Sequence, residues 1–178
     1  LAYAEKINYT ANPIARSLKE RKSYSIGIIV SEIANNFFSQ VIDGIESVAY
    51  SKNYQVVISQ THESFSRERL NVEHLYSRST DGLLMALSAE TTDLAYLEDL
   101  LAKGFPIVFF DRVPAQLKCH KVIADNKQGG YEAVHYLAKQ GRTKIAHLTG
   151  AKKLSITRER LEGYKMGLLA QGLDFSPA

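Results

Sequence analysis

An open parallel α/β fold is what this sequence predicts, and two observations carry the expectation. From Tyr24 onward, short apolar runs alternate with amphipathic stretches of helical length, the order that a parallel sheet with crossover helices requires. Most of the runs are continuously apolar instead of alternating, as strands covered on both faces are. The 178 residues, 45% hydrophobic and 23% charged, suit one good-sized domain or two small ones around a real core.

The strands expected are SIGIIV (Ser25 to Val30), YQVVIS (Tyr54 to Ser59), DGLLMAL (Asp81 to Leu87), PIVFFD (Pro106 to Asp111), KVIAD (Lys121 to Asp125) and KIAHLTG (Lys144 to Gly150). Between the first two, Phe38, Val41, Ile42, Ile45, Val48 and Ala49 recur at helical spacing, with Asn35 or Asn36 placed to cap the start. A second helix carries Leu70, Leu75 and Tyr76 inward, and a third Leu94, Leu97, Leu100 and Leu101, closing at Gly104. A fourth follows the capping pair Asp125-Asn126, turns Ala133, Val134, Leu137 and Ala138 inward and stops before Gly141. A last helix ends near Ala170.

Composition excludes little by itself. A formal charge of +3 is too small to mark the whole molecule as a nucleic-acid binder, so any such role rests on a local patch. Cys119 is the only cysteine, which rules out an internal disulfide and fits a reducing compartment, so the cytoplasm is expected. No apolar run approaches the roughly 18 residues that cross a bilayer, and LAYAEKINYT lacks a signal-peptide layout. No membrane partner is expected.

Catalytic and cofactor motifs are absent too. The turn after the first strand reads VSEIANNFFSQ where a dinucleotide fold would carry G-x-G-x-x-G, and no P-loop, nucleophile elbow or H-E-x-x-H pair occurs. The five histidines are scattered. His147, inside IAHLTG, reads as a hydrogen-bonded core residue, and Cys119-His120 as neighbours in a loop, not a ligand set. Neither metal, cofactor nor enzymatic turnover is expected.

In open parallel folds ligands bind outside the carboxyl ends of the strands. Three such places attract attention. Asn35-Asn36-Phe37-Phe38 offers amides and aromatic walls to a polar ring, or else helix caps and core side chains. Asp111-Arg112 can accept hydroxyl protons or grip an anion, or form a local ion pair. Arg158 and Arg160, two apart at the mouth of the last helix, either send one guanidinium into the crevice or lie on a solvated basic face. Together they describe a small-molecule cleft without an obvious catalyst.

The segment Asn12 to Arg21 is too short to hold a helix alone. Asn12 and Pro13 suit its start, and Ile14, Ala15 and Leu18 form an apolar stripe rimmed by Arg16, Lys19, Arg21 and Lys22. It either docks on its own domain or enters a DNA minor groove, with Leu18 as a wedge between base steps and the cations on phosphates.

The stretch INYTANPIARSLKERKSYSIGIIV resembles the junction in LacI/GalR-family bacterial regulators, where a DNA-binding headpiece runs through a hinge helix into the effector-binding core. The resemblance continues through ANNFFSQVIDGIE, IVFFDR, ADNKQGGYEAVHYLAKQGRTKIAHLTG and RERLEGY. It implies a periplasmic-binding-protein-like (type I) parallel sheet sandwich with a nearly complete first subdomain and a partial second. The boundaries it implies are 1–22 for the headpiece end and hinge, 23–125 for the N-terminal effector-binding subdomain and 126–178 for part of the C-terminal one. It further implies that Leu18 intercalates in the operator beside Ala15 and Lys19, with Asn12 opening the hinge helix. Phe37, Phe38, Asp111 and Arg160 would line the effector cleft, with Arg112 and Arg158 leaving room for a phosphate. The helix-turn-helix is expected before Leu1 and the rest of the second subdomain after Ala178. Asn36 stands where many relatives carry Pro.

The function these readings imply is a homodimeric transcriptional regulator of the repressor type, whose sugar or sugar-phosphate effector shifts hinge helices between ordered and disordered states on operator DNA. A periplasmic sugar-binding protein of a transporter is the rival, opposed by the hinge segment. A sugar-processing enzyme would need a catalytic pair that the sequence does not show.

Overall fold

The computed structural model describes residues 19–20 and 22–176. Asn12, Ala15 and Leu18 lie outside the described residues, and Lys19 is exposed at their border. Five parallel strands, β1 (Ser25–Val30), β2 (Gln55–Gln60), β3 (Gly82–Met85), β4 (Ile107–Phe110) and β5 (His120–Val122), form one sheet in the order β2-β1-β3-β4-β5. The helices are α1 (Asn36–Ser51), α2 (Phe65–Ser77), α3 (Ala95–Ala102), α4 (Asn126–Lys139) and α5 (Ser155–Ala170).

The side-chain period of a strand divides the core in two. In β1, Ile28 and Val30 pack with Phe38 and Ile42 of α1, whereas Ile29 joins Val72 and Leu75 of α2 and Leu97 and Leu100 of α3 on the other face. In register, Ile28 stands between Ile58 of β2 and Leu84 of β3. The strand order reverses beside β1, so a crevice opens where the chain leaves β1 and β3 for opposite sides.

The helix signals hold at their ends. The Asn35 side chain accepts the Phe37 N–H at 2.9 Å and Asp125 that of Gln128 at 2.8 Å, capping α1 and α4. Gly104 and Gly141 follow α3 and α4 with φ of 77° and 78°, the left-handed turn that glycine takes without strain.

Several interior assignments need correction. On α2 the buried stripe is Glu68, Val72 and Leu75, one face at four- and three-residue steps, so Leu70 and Tyr76 fall off it and are exposed. On α4 only Val134 is buried among the expected residues. Ala133 and Leu137 are exposed and Ala138 is half-buried. Val48 of α1 is exposed as well. β2 forms an edge with Val57 and Ile58 exposed, and of KVIAD only Lys121 and Val122 pair, together with His120 before them, leaving Ile123 exposed. KIAHLTG joins no ladder: an apolar run becomes a strand only beside another strand, and none lies next to it among the described residues. Leu148 is accordingly 97% exposed.

Helices α4 and α5 pack against each other around Val134, Tyr164 and Leu168. Their approach depends on glycine. A Cβ on Gly163 would collide with the Lys127 carbonyl, and one on Gly130 would stand 2.6 Å from the Arg160 carbonyl oxygen. The crossing therefore fixes the backbone that carries Arg160.

Candidate functional site

At the carboxyl end of β4, Asp111 adopts a left-handed backbone, φ 56°, uncommon for a residue with a Cβ. Ladder hydrogen bonds hold it there: the Asp111 N–H donates to Val122 O at 3.1 Å and the Leu87 N–H to Arg112 O at 3.0 Å. The bend redirects the chain at the crevice and brings Asp111 and Arg112 together, with Arg112 Nε 3.8 Å from Asp111 Oδ2. Burial pushes the Asp111 carboxyl above its ordinary pKa, and the charges of Arg112 and Arg160 oppose that.

Arg112 links three elements. Its Nη1 donates to Glu63 Oε1 at 2.7 Å and Oε2 at 2.6 Å, and its guanidinium lies 6.0 Å from the Phe38 ring centroid, at the outer limit of a cation–π contact. Its buried Nε makes no hydrogen bond. Phe38 is 2% exposed and meets Phe110 edge-on, so it is a core residue beneath the site. Phe37, 49% exposed, rests its ring on Phe38 with centroids 5.2 Å apart.

Glu63 was not singled out by sequence, although it follows β2 and so obeys the strand-end rule that selected the others. It accepts the Ala89 N–H at 2.8 Å as well as Arg112. Burial works to raise its pKa, but the hydrogen bonds from Arg112 and Ala89 and the Arg112 charge outweigh it and hold the carboxyl below its ordinary value. The loop that carries Ala89 is anchored by buried Glu68, which accepts the Ser88 N–H at 2.6 Å and the hydroxyls of Thr91 at 2.8 Å and Tyr96 at 2.7 Å. Nothing in a local pattern announces Glu68, a carboxylate on an apolar stripe.

From the other side, Arg160 of α5 donates through Nε to Asn126 Oδ1 at 2.9 Å, and Asn126 Nδ2 donates to Glu159 Oε2 at 3.1 Å. Arg158, two residues away, is exposed and does not line the cleft. His147 is half-buried, not a core residue, and stacks on Tyr164 with centroids 5.1 Å apart.

These groups enclose a cleft of ≈ 380 Å³ between the strand ends, where Glu63, Ala89 and Arg112 stand, and the opposite wall of His147, Thr157 and Arg160. Phe37, Phe38 and Asp111 are not in its lining. Larger hollows of ≈ 520, ≈ 530 and ≈ 420 Å³ lie elsewhere, the last between α2 and α3 around Val72, Tyr76, Tyr96 and Leu100. The first is walled by Ile26, Val41, Ile45, Val48 and Leu84 with almost no polar group to orient a ligand, and the second surrounds Asp81 at the opposite end of the sheet. The ≈ 380 Å³ cleft joins charged groups from both halves at the strand ends.

The model of the periplasmic binding protein domain matches residues 26–175. The chain belongs to this family. The HTH-type transcriptional repressor PurR of Vibrio vulnificus is 34% identical over 164 residues, covering 92% of this chain and 49% of the relative. The ribose operon repressor of Haemophilus influenzae is 32% identical, covering 97% and 51%. A crystal structure described as a ribose operon repressor from Burkholderia thailandensis superposes with a TM-score of 0.81 at 39% identity, over 86% of this chain and 58% of the other. The resemblance to LacI-family regulators and the type I periplasmic-binding-protein-like fold are thus confirmed. The chain spans about half the length of the curated relatives it matches. No helix among the described residues is long and apolar enough to cross a membrane.

Proposed function

We propose that this chain is the hinge-and-core part of a LacI-type transcriptional repressor whose cleft takes a small polyhydroxylated effector of the pentose class. The observation that carries the reading is the convergence of Arg112 with Glu63 from one side and Arg160 from the other on a single cleft, in a chain whose relatives are repressors. Carboxylates accept and guanidiniums donate the many hydrogen bonds that a sugar's hydroxyls need. His147 is the only ring in the lining. A flat purine would find little to stack on there.

In this reading residues 1–22 supply the headpiece end and hinge, 23–125 and 126–178 supply the two sides of the cleft, and the protein acts as a cytoplasmic homodimer on palindromic operator DNA. Asn12, Ala15, Leu18 and Lys19 face the minor groove. Asp111, outside the lining, stands beside Arg112 and holds it towards the cleft, while Phe37 and Arg158 remain outside. Effector and operator affect each other through the hinge equilibrium, with equal coupling in both directions.

The test is the melting temperature of the full-length protein across free sugars, sugar phosphates and purines, since a ligand that binds the folded state raises it by mass action. A free pentose should give the largest shift, and Arg112→Ala should remove that shift. A purine as the strongest ligand would replace the sugar reading.

A further inference from the structure

We infer that Glu63 is a specificity-determining residue of the effector cleft: by pairing with Arg112 it restricts the site to uncharged polyols and rejects their phosphorylated forms. The inference rests on the pentose reading and adds which chemical form of the sugar is admitted.

Three features of the geometry carry it. Both carboxylate oxygens of Glu63 accept from the same Arg112 nitrogen, Nη1, at 2.7 and 2.6 Å, so the guanidinium charge at the cleft is already matched by a carboxylate. Glu63 is itself fixed, by the Ala89 N–H at 2.8 Å and by a left-handed backbone with φ 64° following His62 at φ 48°. Arg112 in turn lies 6.0 Å from the Phe38 ring centroid and has Asp111 Oδ2 at 3.8 Å from its Nε, a second carboxylate beside the same guanidinium. An entering phosphate would have to displace Glu63 into solvent or lie against its negative charge. A neutral hydroxyl can donate to Glu63 and leave the pair intact.

The opposite wall does not compensate. Its one lining guanidinium, Arg160, is shared with Asn126. Lys152 and Lys153 are exposed on the neighbouring loop but do not line the cleft, and charges in water are largely screened. Exclusion of the wrong ligand by a like charge, not only attraction of the right one, is how closely similar ligands are separated.

The experiment is calorimetric titration of D-ribose and D-ribose 5-phosphate into full-length protein, as parent, Glu63→Gln and Glu63→Asn. Asparagine tolerates the left-handed backbone at this position, so the second variant keeps the test alive should the first fold poorly. The parent should prefer the free sugar by at least about tenfold, a factor that a single nearby charge readily supplies. Both variants should lose that preference or reverse it. Equal binding of the two sugars by the parent, or a preference unchanged in a folded variant, would overturn the role of Glu63 while leaving the pentose reading in place. Binding of neither sugar by the parent would overturn both.

Discussion

The sheet region and the region after Asp125 read alike in sequence and differ in structure. In the first, five apolar runs find neighbours and bury Ile28, Ile29, Val30, Met85 and Phe109 completely. In the second, KIAHLTG has the same strand-like composition yet joins no ladder, and the core cluster between the helices is small, Val134, Tyr164 and Leu168 with partial cover from Ile145, Leu161 and Leu173. The lesson is that apolar continuity reports a capacity to be a strand, which only a partner strand realises. One region is held by a layered core, the other by a close helix crossing.

Substitutions aimed at one region at a time sharpen that contrast. Phe109→Ala should remove about 4 kcal/mol, the usual cost of emptying a fully buried aromatic site. Amide exchange should then accelerate across β1, β3 and β4 while α4 and α5 change little. Acceleration of equal size everywhere would mean that the two regions unfold as one unit.

Gly163→Ala should cost about 2 kcal/mol, because the added methyl meets backbone at Lys127 that cannot rotate away. Here the loss should fall on α4 and α5, and the affinity of the cleft should fall with it, since the crossing carries Arg160. If exchange in α4 and α5 matches the parent, the crossing is looser than described.

The smallest effect concerns the segment that leads into β1. Asp81 accepts the Ser23 N–H at 2.7 Å, the Ser23 hydroxyl at 3.0 Å and the Tyr24 N–H at 3.1 Å. Burial acts to raise its pKa, but these bonds and one from Tyr54 outweigh it and leave the carboxyl below its ordinary value. A depressed folded-state pKa stabilises above the unfolded value of about 3.9 and ceases to do so as pH falls through the folded value. Asp81→Asn should therefore be less stable than the parent near neutrality, and the gap should close on acidification below pH about 4. Melting curves of both proteins between neutral and acid pH check this, and a gap that persists undiminished in acid would assign the effect to packing.

Much of the fold was legible because its signals are local. Period and capping residues located β1 and the ends of α1, α3 and α4. Burial on α2 and α4 was not, because which stripe faces inward depends on what lies opposite: Leu70 looks like a core residue until Glu68 is seen to hold Ser88, Thr91 and Tyr96. The strand-end rule brought out Asp111, Arg112 and Arg160. It did not separate Arg160 from Arg158, since their spacing says that they diverge without saying which one faces the cleft. Glu63 escaped notice because its meaning lies in its pairing with Arg112, 49 residues away in the chain.

The measurement that tests the central claim most directly is the affinity of the full-length protein for a duplex that it selects from random sequence, taken with and without saturating D-ribose. A palindromic site whose affinity changes about tenfold or more with the sugar is the predicted result, in the range of ordinary allosteric coupling. Selection of no specific duplex, or an affinity indifferent to a sugar that demonstrably binds, would contradict it.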